Sequence, residues 1–228
     1  MKLTVVIPAF NEEETIAEVI SAIPKKISGV SQIEIIVVDD QSRDKTGEIG
    51  RSLGATVLRH RLNLGAGGAT LTGIDAARKR GADMVITIDG DGQHDPKEIV
   101  KLVQAHLESG ADLVIGSRFL SDSLEKMPAL KNFGNRVMNG ITYVFSGKHV
   151  TDSQSGFRLF GRRLIAGFDR FTTSGYEFCS ETIINTKKMG LKIAEVPIST
   201  IYFEGRRGQN PLNGVNILLK LIYKTVTG

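Results

Sequence analysis

The sequence has little of what secreted, membrane-spanning or nucleic-acid-binding proteins depend on. Its 228 residues include one cysteine, Cys179, no tryptophan and only 6% aromatic residues. A single cysteine forms no internal disulfide and has no partner for a metal site, which is typical of a reducing cytosol, so we expect a buried, inert thiol. No run of about 18 apolar residues occurs, and Met1 to Pro8 already has the pattern of a strand, so we expect neither a membrane span nor a secretory signal.

Charge is divided unevenly along the chain. There are 13 basic and 17 acidic residues up to Gly116, then 16 basic and 8 acidic residues, for a net charge of +4. This division indicates an enzyme in which one half holds a cation and the other meets an anionic substrate or surface. Nucleic acid is the rival anion, but the basic residues are scattered and match no nucleic-acid-binding motif, so we expect no nucleic-acid partner.

Strand and helix patterns alternate along the first half. Apolar runs predict strands at Leu3–Pro8, Ile33–Val38, Ala55–Arg59, Met84–Ile88 and Leu113–Gly116. Between them, helices are predicted after Asn11, at Lys45–Leu53, at Ala66–Arg80 and after Asp95-Pro96, and Asn11 with Glu14 has the pattern of a capping box. The alternation predicts an α/β fold with a doubly wound, mostly parallel sheet and helices on both faces. Ligands then belong at the carboxyl ends of the strands.

The second half has a looser pattern. We predict helices at Leu130–Phe145 and Glu177–Met189 and a β segment at Lys192–Val196. The last segment, from Val215 to Val226, is apolar with Lys220 and Lys224 along one edge. It is either a helix that packs on the core or one that lies at a membrane surface.

The sharpest chemical signal is Asp89-Gly90-Asp91-Gly92-Gln93-His94, directly after the predicted strand Met84–Ile88. Two carboxylates two residues apart can supply hard oxygen ligands to Mg²⁺ or Mn²⁺ that phosphates also hold. The alternative is a solvated turn, because Asp and Gly are favoured in turns.

Two further strand ends carry polar loops. Asp39-Asp40 follow Val38, where a carboxylate could accept hydrogen bonds from a base or ribose, while Asp44 is expected to form an Asx-turn at the next helix. The loop Pro8–Glu12 could meet the same nucleotide. The glycine-rich run from Asn63 to Ala69 opens a helix, so it could bind phosphate or simply allow close packing.

Taken in order, these segments resemble the family 2 inverting glycosyltransferases, and within them the dolichyl-phosphate mannose and glucose synthases. The resemblance extends from Leu3 to about Leu212. The matching segments are Pro8 to Glu12, Asp39-Asp40, Asp89-Gly90-Asp91 with Gln93-His94, Gly116-Ser117-Arg118 and Ser155-Gly156-Phe157-Arg158. One segment departs from the pattern: Arg207 to Leu212 has Pro211 where the mannose synthases have a lysine, which leaves the donor base and sugar open.

The resemblance implies a GT-A catalytic domain over residues 1–212, with a nucleotide-sugar half (1–116), an acceptor half (117–212) and an amphipathic C-terminal helix (213–228). Catalysis is expected from Asp91 and Arg118, and Arg118 would contact phosphate near the reacting centre. The implied nucleotide-binding residues are Pro8, Phe10, Asn11, Glu12, Val38, Asp39, Asp40, Gly90, Arg206 and Arg207. Mg²⁺ or Mn²⁺ would be held by Asp89, Asp91 and Gln93, and the acceptor phosphate by Lys131, Ser155 and Arg158.

The implied reaction transfers a sugar, with inversion, from GDP-mannose, UDP-glucose or UDP-GlcNAc to a polyprenyl (dolichyl) phosphate. Such a phosphate is already an anion at neutral pH, so no base is required. A sugar hydroxyl acceptor would need one, and Asp152 is the candidate, with holding the neighbouring loop as its other role. A nucleotidyltransferase or a non-catalytic sugar-nucleotide-binding domain are the alternatives of another class. The loop after the first strand is acidic, which disfavours a triphosphate.

The implied lipid acceptor also sets the expected location. We expect a cytoplasmic protein at the cytoplasmic face of a membrane. Contact with the membrane would be peripheral, through the terminal helix or through a membrane-anchored partner.

Overall fold

The computed structural model describes residues 1–121, 129–171 and 177–200. Within these ranges one sheet has the spatial strand order β3-β2-β1-β4-β6-β5-β7. Its strands are β1 (Lys2–Ala9), β2 (Gln32–Asp39), β3 (Thr56–Arg59), β4 (Met84–Thr87), β5 (Leu113–Ser117), β6 (Arg158–Gly161) and β7 (Ile193–Pro197). The α-helices are α1 (Ile16–Ala22), α2 (Thr46–Ser52), α3 (Gly65–Lys79), α4 (Ile99–Ser109), α5 (Ala129–Ser146), α6 (Arg162–Ala166) and α7 (Glu177–Lys188).

The sheet is parallel except at β6. β6 pairs antiparallel with β4 on one side and with β5 on the other, whereas the remaining neighbours pair in parallel. The predicted α/β fold with a doubly wound, mostly parallel sheet is confirmed. β6 was not predicted, because it is four residues long and begins with Arg158, so it lacks the extended apolar run that marked the other strands.

Helices cover both faces of the sheet. Along β1, Leu3, Val5 and Ile7 pack with the helices α1 and α4 on one face. Val6 points to the other face, where α3, α6 and α7 pack. Because successive strand residues alternate between faces and both faces are covered, the central run of β1 from Val5 to Ile7 is apolar on both sides, and this burial is the main source of stability.

Most predicted element boundaries lie within a few residues of the observed ones, but the predicted cap at Asn11 is wrong. Asn11 has a φ of 57°. Its Oδ1 accepts a hydrogen bond from the backbone N–H of Arg43 at 2.8 Å. The helix α1 starts later, at Ile16. The side chain of Asn11 therefore joins two loops and does not cap a helix. The Asx-turn at Asp44 is confirmed, because its Oδ1 accepts from the N–H of Thr46 at 3.0 Å.

Two predictions about the chain's end fall outside the described ranges, namely the helix at 213–228 and the residues Arg206 and Arg207. Among the described helices, none combines the length and the apolarity needed to cross a bilayer.

Candidate active site

The acidic turn follows β4 at the carboxyl edge of the sheet. Gly92 has a φ of 74°, a left-handed conformation that favours glycine. Asp91 Oδ1 accepts a hydrogen bond from the N–H of Gln93 at 2.9 Å, which closes the turn. Thr15, just before α1, donates from Oγ1 to the carbonyl of Gly90 at 2.8 Å. The turn is thus fixed from within and from the loop that follows β1.

The carboxylate of Asp89 lies on the floor of a cleft, with 44% of its side-chain surface accessible. Loss of hydration among the surrounding cleft walls raises the pKa of Asp89 to about 7, and the charges of Asp91 and Glu12 act in the same direction. The positive charge of Arg118 lowers this pKa but does not offset the other effects. A positive charge bound beside Asp89 would therefore stabilise its ionised form.

The donor atoms at this turn fit a divalent cation. Carboxylate oxygens of Asp89 and Asp91 are hard ligands of the kind that Mg²⁺ and Mn²⁺ prefer. Within the described part of the chain, no three His, Cys, Asp or Glu side chains are grouped as a preformed metal site. The remaining ligands would have to come from another source, such as a bound diphosphate.

Arg118 is held by Asp152 in a buried ion pair. Its Nε donates to Asp152 Oδ2 at 2.7 Å and its Nη2 donates to Oδ1 at 2.8 Å. The backbone N–H of Arg118 donates to Oδ2 as well, at 3.1 Å. Burial alone would raise the pKa of Asp152, but the charge and hydrogen bonds of Arg118 keep this pKa below its ordinary value. Asp152 is thus an anion that fixes the orientation of Arg118.

The loop before β6 passes directly against Asp89. A Cβ atom on Gly156 would lie 2.9 Å from Asp89 Oδ2. Thr87, the last residue of β4, donates from Oγ1 to the carbonyl of Gly156 at 2.6 Å. Only a glycine allows the loop to approach the acidic turn this closely, because real Cβ contacts are longer.

Arg158 shapes this loop from inside. The side chain is 1% exposed. Its guanidinium donates to the carbonyls of Ser155, Cys179 and Ser153, each at 2.7 Å. Ser155 is also buried, and its Oγ accepts from the N–H of Phe157 at 3.3 Å. Contact of Ser155 and Arg158 with an acceptor phosphate stays a prediction, as does that of Lys131, whose backbone lies in the first turn of α5.

The loops after β1 and β2 are joined by hydrogen bonds. Asn11 N–H donates to Ser42 Oγ at 3.0 Å. Glu12 N–H donates to Thr46 Oγ1 at 2.8 Å. Phe10 beside them is 46% exposed. These contacts bring most of the predicted nucleotide-binding segment together at one edge of the sheet.

Other residues predicted to bind the nucleotide point inward. Val38 is fully buried in the core beneath α3, and Pro8 is half-buried beside the cleft. Asp39 is also fully buried. Its Oδ1 accepts from the N–H of Ser42 at 2.8 Å. The nucleotide contacts of Val38 and Asp39 stay predictions.

Asp40 caps α3, a role that the sequence reasoning missed. Its oxygens accept from the backbone N–H groups of Leu64 and Gly65, both at 2.8 Å. His60 Nδ1 lies 2.7 Å from Asp40 Oδ1, and His60 Nε2 lies 3.0 Å from Thr72 Oγ1. The available signal was a helix that begins with glycine and brings no capping side chain of its own.

An open cleft of about 540 Å³ lies between α3 and α7. Gly67 of α3, Asp89 and Cys179 of α7 are among the residues that line it. Cys179 is half-buried and not fully buried as expected, but loss of hydration still raises the pKa of its thiol, which agrees with an inert cysteine. Thr200 forms an isolated antiparallel β-bridge with His94 of the acidic turn.

The sequence pattern of the family described as "Glycosyl transferase family 2" matches residues 4–167. The chain belongs to glycosyl transferase family 2. The match spans the strands and turns described above, from β1 through β6. As a family 2 enzyme the chain is a glycosyltransferase and not a nucleotidyltransferase.

Two relatives of this family 2 enzyme match over almost their whole length. An uncharacterised protein of Methanocaldococcus jannaschii is 44% identical over 99% of this chain and 93% of its own. The UDP-N-acetylglucosamine–dolichyl-phosphate N-acetylglucosaminyltransferase of Methanococcus voltae is 36% identical over 95% of this chain and 93% of its own.

A solved structure supports the fold. Glucosyl-3-phosphoglycerate synthase from Mycobacterium tuberculosis, in complex with UDP, superposes with a TM-score of 0.71 at 24% identity. The match covers 96% of this chain and 79% of that one. The family 2 enzyme therefore has the GT-A fold.

Proposed function

We propose that this glycosyltransferase moves a sugar from a nucleotide-diphospho-sugar to a polyprenyl phosphate, with inversion at the anomeric carbon. The observation that carries the proposal is the meeting of Asp89, Asp91 and the fixed cation Arg118 at one edge of the sheet. Acids beside an open cleft fit a cation-bound diphosphate, and a buried arginine fits an anion that reacts there.

The acidic turn is proposed to hold Mg²⁺ or Mn²⁺ through Asp89, Asp91 and Gln93. The raised pKa of Asp89 supports this, because loss of hydration and the charge of Asp91 disfavour its ionised form, which a bound cation would stabilise. When bound, the ion neutralises charge that develops on the departing diphosphate. Asp91 closes the turn through the N–H of Gln93, which keeps the ligand positions fixed in advance.

The environment of Asp152 favours a phosphate acceptor over a sugar hydroxyl. A hydroxyl must lose its proton to a base, and Asp152 is the candidate. Both of its oxygens accept hydrogen bonds from Arg118, and its pKa lies below the ordinary value, so it is a poor proton acceptor. A phosphate needs no such base. The relative that acts on dolichyl phosphate, by its name, supports the same acceptor class.

We assign the acceptor side mainly to Arg118 and Lys131. Ser155 and Arg158 hold the loop before β6, and the guanidinium of Arg158 is already engaged by three carbonyls. Ser155 and Arg158 would support acceptor binding indirectly, by holding this loop against Asp89.

The donor is proposed to be a UDP-sugar, with UDP-N-acetylglucosamine as the first candidate and GDP-mannose as the alternative. The dolichyl-phosphate relative is named for UDP-N-acetylglucosamine. Asp39 and Asp40 are engaged within the protein, so we propose that backbone groups of Pro8–Glu12 and the exposed ring of Phe10 meet the base. Arg206 and Arg207 follow Thr200, which pairs with His94, and are proposed to reach the same diphosphate.

A lipid acceptor places the reaction at a membrane surface. We propose peripheral association with the cytoplasmic face, through the segment 213–228 or through a membrane-anchored partner. Deletion of that segment should lower binding to liposomes if it is interfacial. Unchanged binding with lost solubility would assign it to the core.

The decisive test is a panel of radiolabelled UDP- and GDP-sugars, incubated with Mg²⁺ or Mn²⁺ and either a polyprenyl phosphate or free sugar acceptors. We expect an organic-soluble product that mild acid hydrolyses, as a glycosyl phosphate should be. An acid-stable glycoside, or no transfer to the lipid phosphate, would contradict the proposal.

A further inference from the structure

A chain of hydrogen bonds leads from β7 to the ion pair that holds Arg118. Its members are Glu195 on β7, Thr151 in the loop before β6, and Ser117 at the end of β5; we call them the Glu195 relay. We propose that Glu195 is a positioning residue for Arg118, acting through Thr151 and Ser117. The inference rests on the proposed role of Arg118 in sugar transfer.

Glu195 fixes the backbone on which Asp152 stands. Its Oε1 accepts from Thr151 Oγ1 at 2.7 Å and from the N–H of Asp152 at 3.2 Å. Both of its oxygens lie 2.9 Å from the N–H of Thr151. One carboxylate therefore satisfies two successive backbone donors and a hydroxyl in a loop that has no regular secondary structure.

The carboxylate also sets the direction of the hydroxyl protons. Glu195 can only accept, so the single hydroxyl proton of Thr151 must point toward it. Thr151 Oγ1 is then the acceptor for the hydroxyl of Ser117, 2.6 Å away. Ser117 Oγ in turn accepts from the N–H of Phe119 at 3.2 Å. The hydroxyl groups of the relay therefore all donate in one direction, from Ser117 to Thr151 and from Thr151 to the carboxylate of Glu195.

The relay controls both segments that hold Arg118. Ser117 precedes Arg118 directly, and Asp152 follows Thr151 and binds the guanidinium. Asn139 on α5 supports the same loop from the other side, since its Nδ2 donates to the carbonyl of Thr151 at 2.6 Å. A small displacement of Arg118 is enough to slow a reaction that depends on its placement.

Thr151 offers a matched pair of variants. Thr151→Val keeps the shape but removes the hydroxyl, whereas Thr151→Ser keeps the hydroxyl. We expect Thr151→Val to lower kcat about tenfold, with the donor KM changed less than about threefold, and Thr151→Ser to retain near-normal turnover. Glu195→Gln, which replaces one acceptor by a donor, should behave like Thr151→Val.

A stability control comes from the other end of β5. Asp112 is buried, and its carboxylate accepts from the N–H of Lys192 at 3.2 Å, far from Arg118 along the strand. Asp112→Asn should lower the melting temperature and leave kcat unchanged. If it lowers kcat as much as Thr151→Val does, general destabilisation explains both, and the positioning role is overturned.

A double-mutant cycle tests whether the relay acts through Arg118. In an Arg118→Lys background the bidentate contact is already lost, so Thr151→Val should cost less than about a further twofold. Losses that multiply would show that Thr151 and Glu195 act independently of Arg118, which overturns the inference.

A measurement without substrate separates this inference from the proposed function. We would follow hydrogen exchange of the Arg118 Nε–H by nitrogen-15 NMR, with the signal assigned by its absence in Arg118→Lys. Exchange should accelerate in Thr151→Val and stay slow in Thr151→Ser and Asp112→Asn. Unchanged exchange in Thr151→Val would overturn the relay, whether or not the wild-type protein transfers sugar. Absence of sugar transfer by the wild-type protein would contradict only the proposed function.

Discussion

Asp89 and Asp152, the aspartates on the two sides of the proposed reaction, have opposite electrostatic environments. Asp152 is fully buried, yet Arg118 keeps its pKa below the ordinary value. Asp89 opens on to the cleft, and its surroundings together with Asp91 raise its pKa to about 7. Asp152 has its counter-charge within the chain, whereas we propose that a bound cation supplies the counter-charge of Asp89. The comparison separates an acid that supports the site from an acid that serves a ligand.

The largest effect should follow removal of Asp91, the second carboxylate of the acidic turn that contains Asp89. Asp91→Ala should lower the rate of sugar transfer by about a thousandfold or more, because a proposed ligand is lost from the metal ion that neutralises the departing diphosphate. The melting temperature should change little, since Asp91 is part of a turn and not of the core. Steady-state kinetics with Mn²⁺ and thermal unfolding check both statements. Retained activity would remove the acidic turn from metal binding.

The supporting acid should show its effect in stability. Asp152→Asn leaves Arg118 buried without its full counter-charge, so the free energy of unfolding at neutral pH should fall by about 3 kcal/mol. The pKa of Asp152 is lower in the folded chain than its ordinary value of 3.8. The stabilisation is therefore present above that value and lost as the pH falls through the folded pKa.

The difference in the free energy of unfolding between wild type and Asp152→Asn should accordingly shrink as the pH falls through the folded pKa of Asp152. Urea titrations at a series of pH values measure it. A difference that grows in acid would show that the assigned direction of the pKa shift is wrong.

Arg118→Lys tests the link between the two sides. Lysine keeps the charge but loses the bidentate contact with Asp152. We expect turnover to fall about 30-fold, corresponding to about 2 kcal/mol of transition-state stabilisation. Single-turnover measurements isolate the chemical step. Normal single-turnover rates would show that the site needs only a positive charge here and not a fixed guanidinium.

The smallest effect is expected from a substitution at Gly156, where the loop before β6 approaches Asp89. Gly156→Ala places a Cβ 2.9 Å from Asp89 Oδ2, so the acidic turn or the loop must shift. We expect turnover to fall about fivefold. Gly140→Ala on α5 is the matched control, because its added Cβ meets nothing within 4 Å. It should keep turnover and slightly raise the melting temperature, since alanine favours a helix. Equal losses in both variants would contradict the close-approach argument.

The parallel half of the fold followed from sequence because its strands are β-branched apolar runs, each ending in a polar loop. Asp89 and Asp91 were placed correctly at a strand end, since the buried run Met84–Thr87 leads directly into them. β6 had no such pattern, because its buried Arg158 is satisfied by carbonyls that no local rule reveals.

Side chains whose hydrogen-bond partners are distant in sequence were the second group that could not be predicted. The nucleotide contact of Asp40 stays a prediction, and local pattern did not reveal that its carboxylate also caps α3 at Leu64 and Gly65. Glu195 gave no signal at all, since its donors at Thr151 and Asp152 are more than 40 residues away. Side-chain pairing across such separations depends on the assembled sheet and not on local propensity.

The reversed direction of β6 has a consequence for how this enzyme could diversify. β5 runs toward the carboxyl edge and β6 runs back from it, paired residue by residue from Leu113↔Phe160 to Ile115↔Arg158. The intervening residues 118–157 therefore form an insert whose two ends lie side by side in the sheet, because β5 and β6 are paired. Because lengthening a loop whose ends are already joined costs little free energy, this insert can be exchanged or resized without rethreading the sheet. We expect a graft on to this base that retains Arg118, Asp152 and Gly156 to alter the acceptor and to leave donor binding intact.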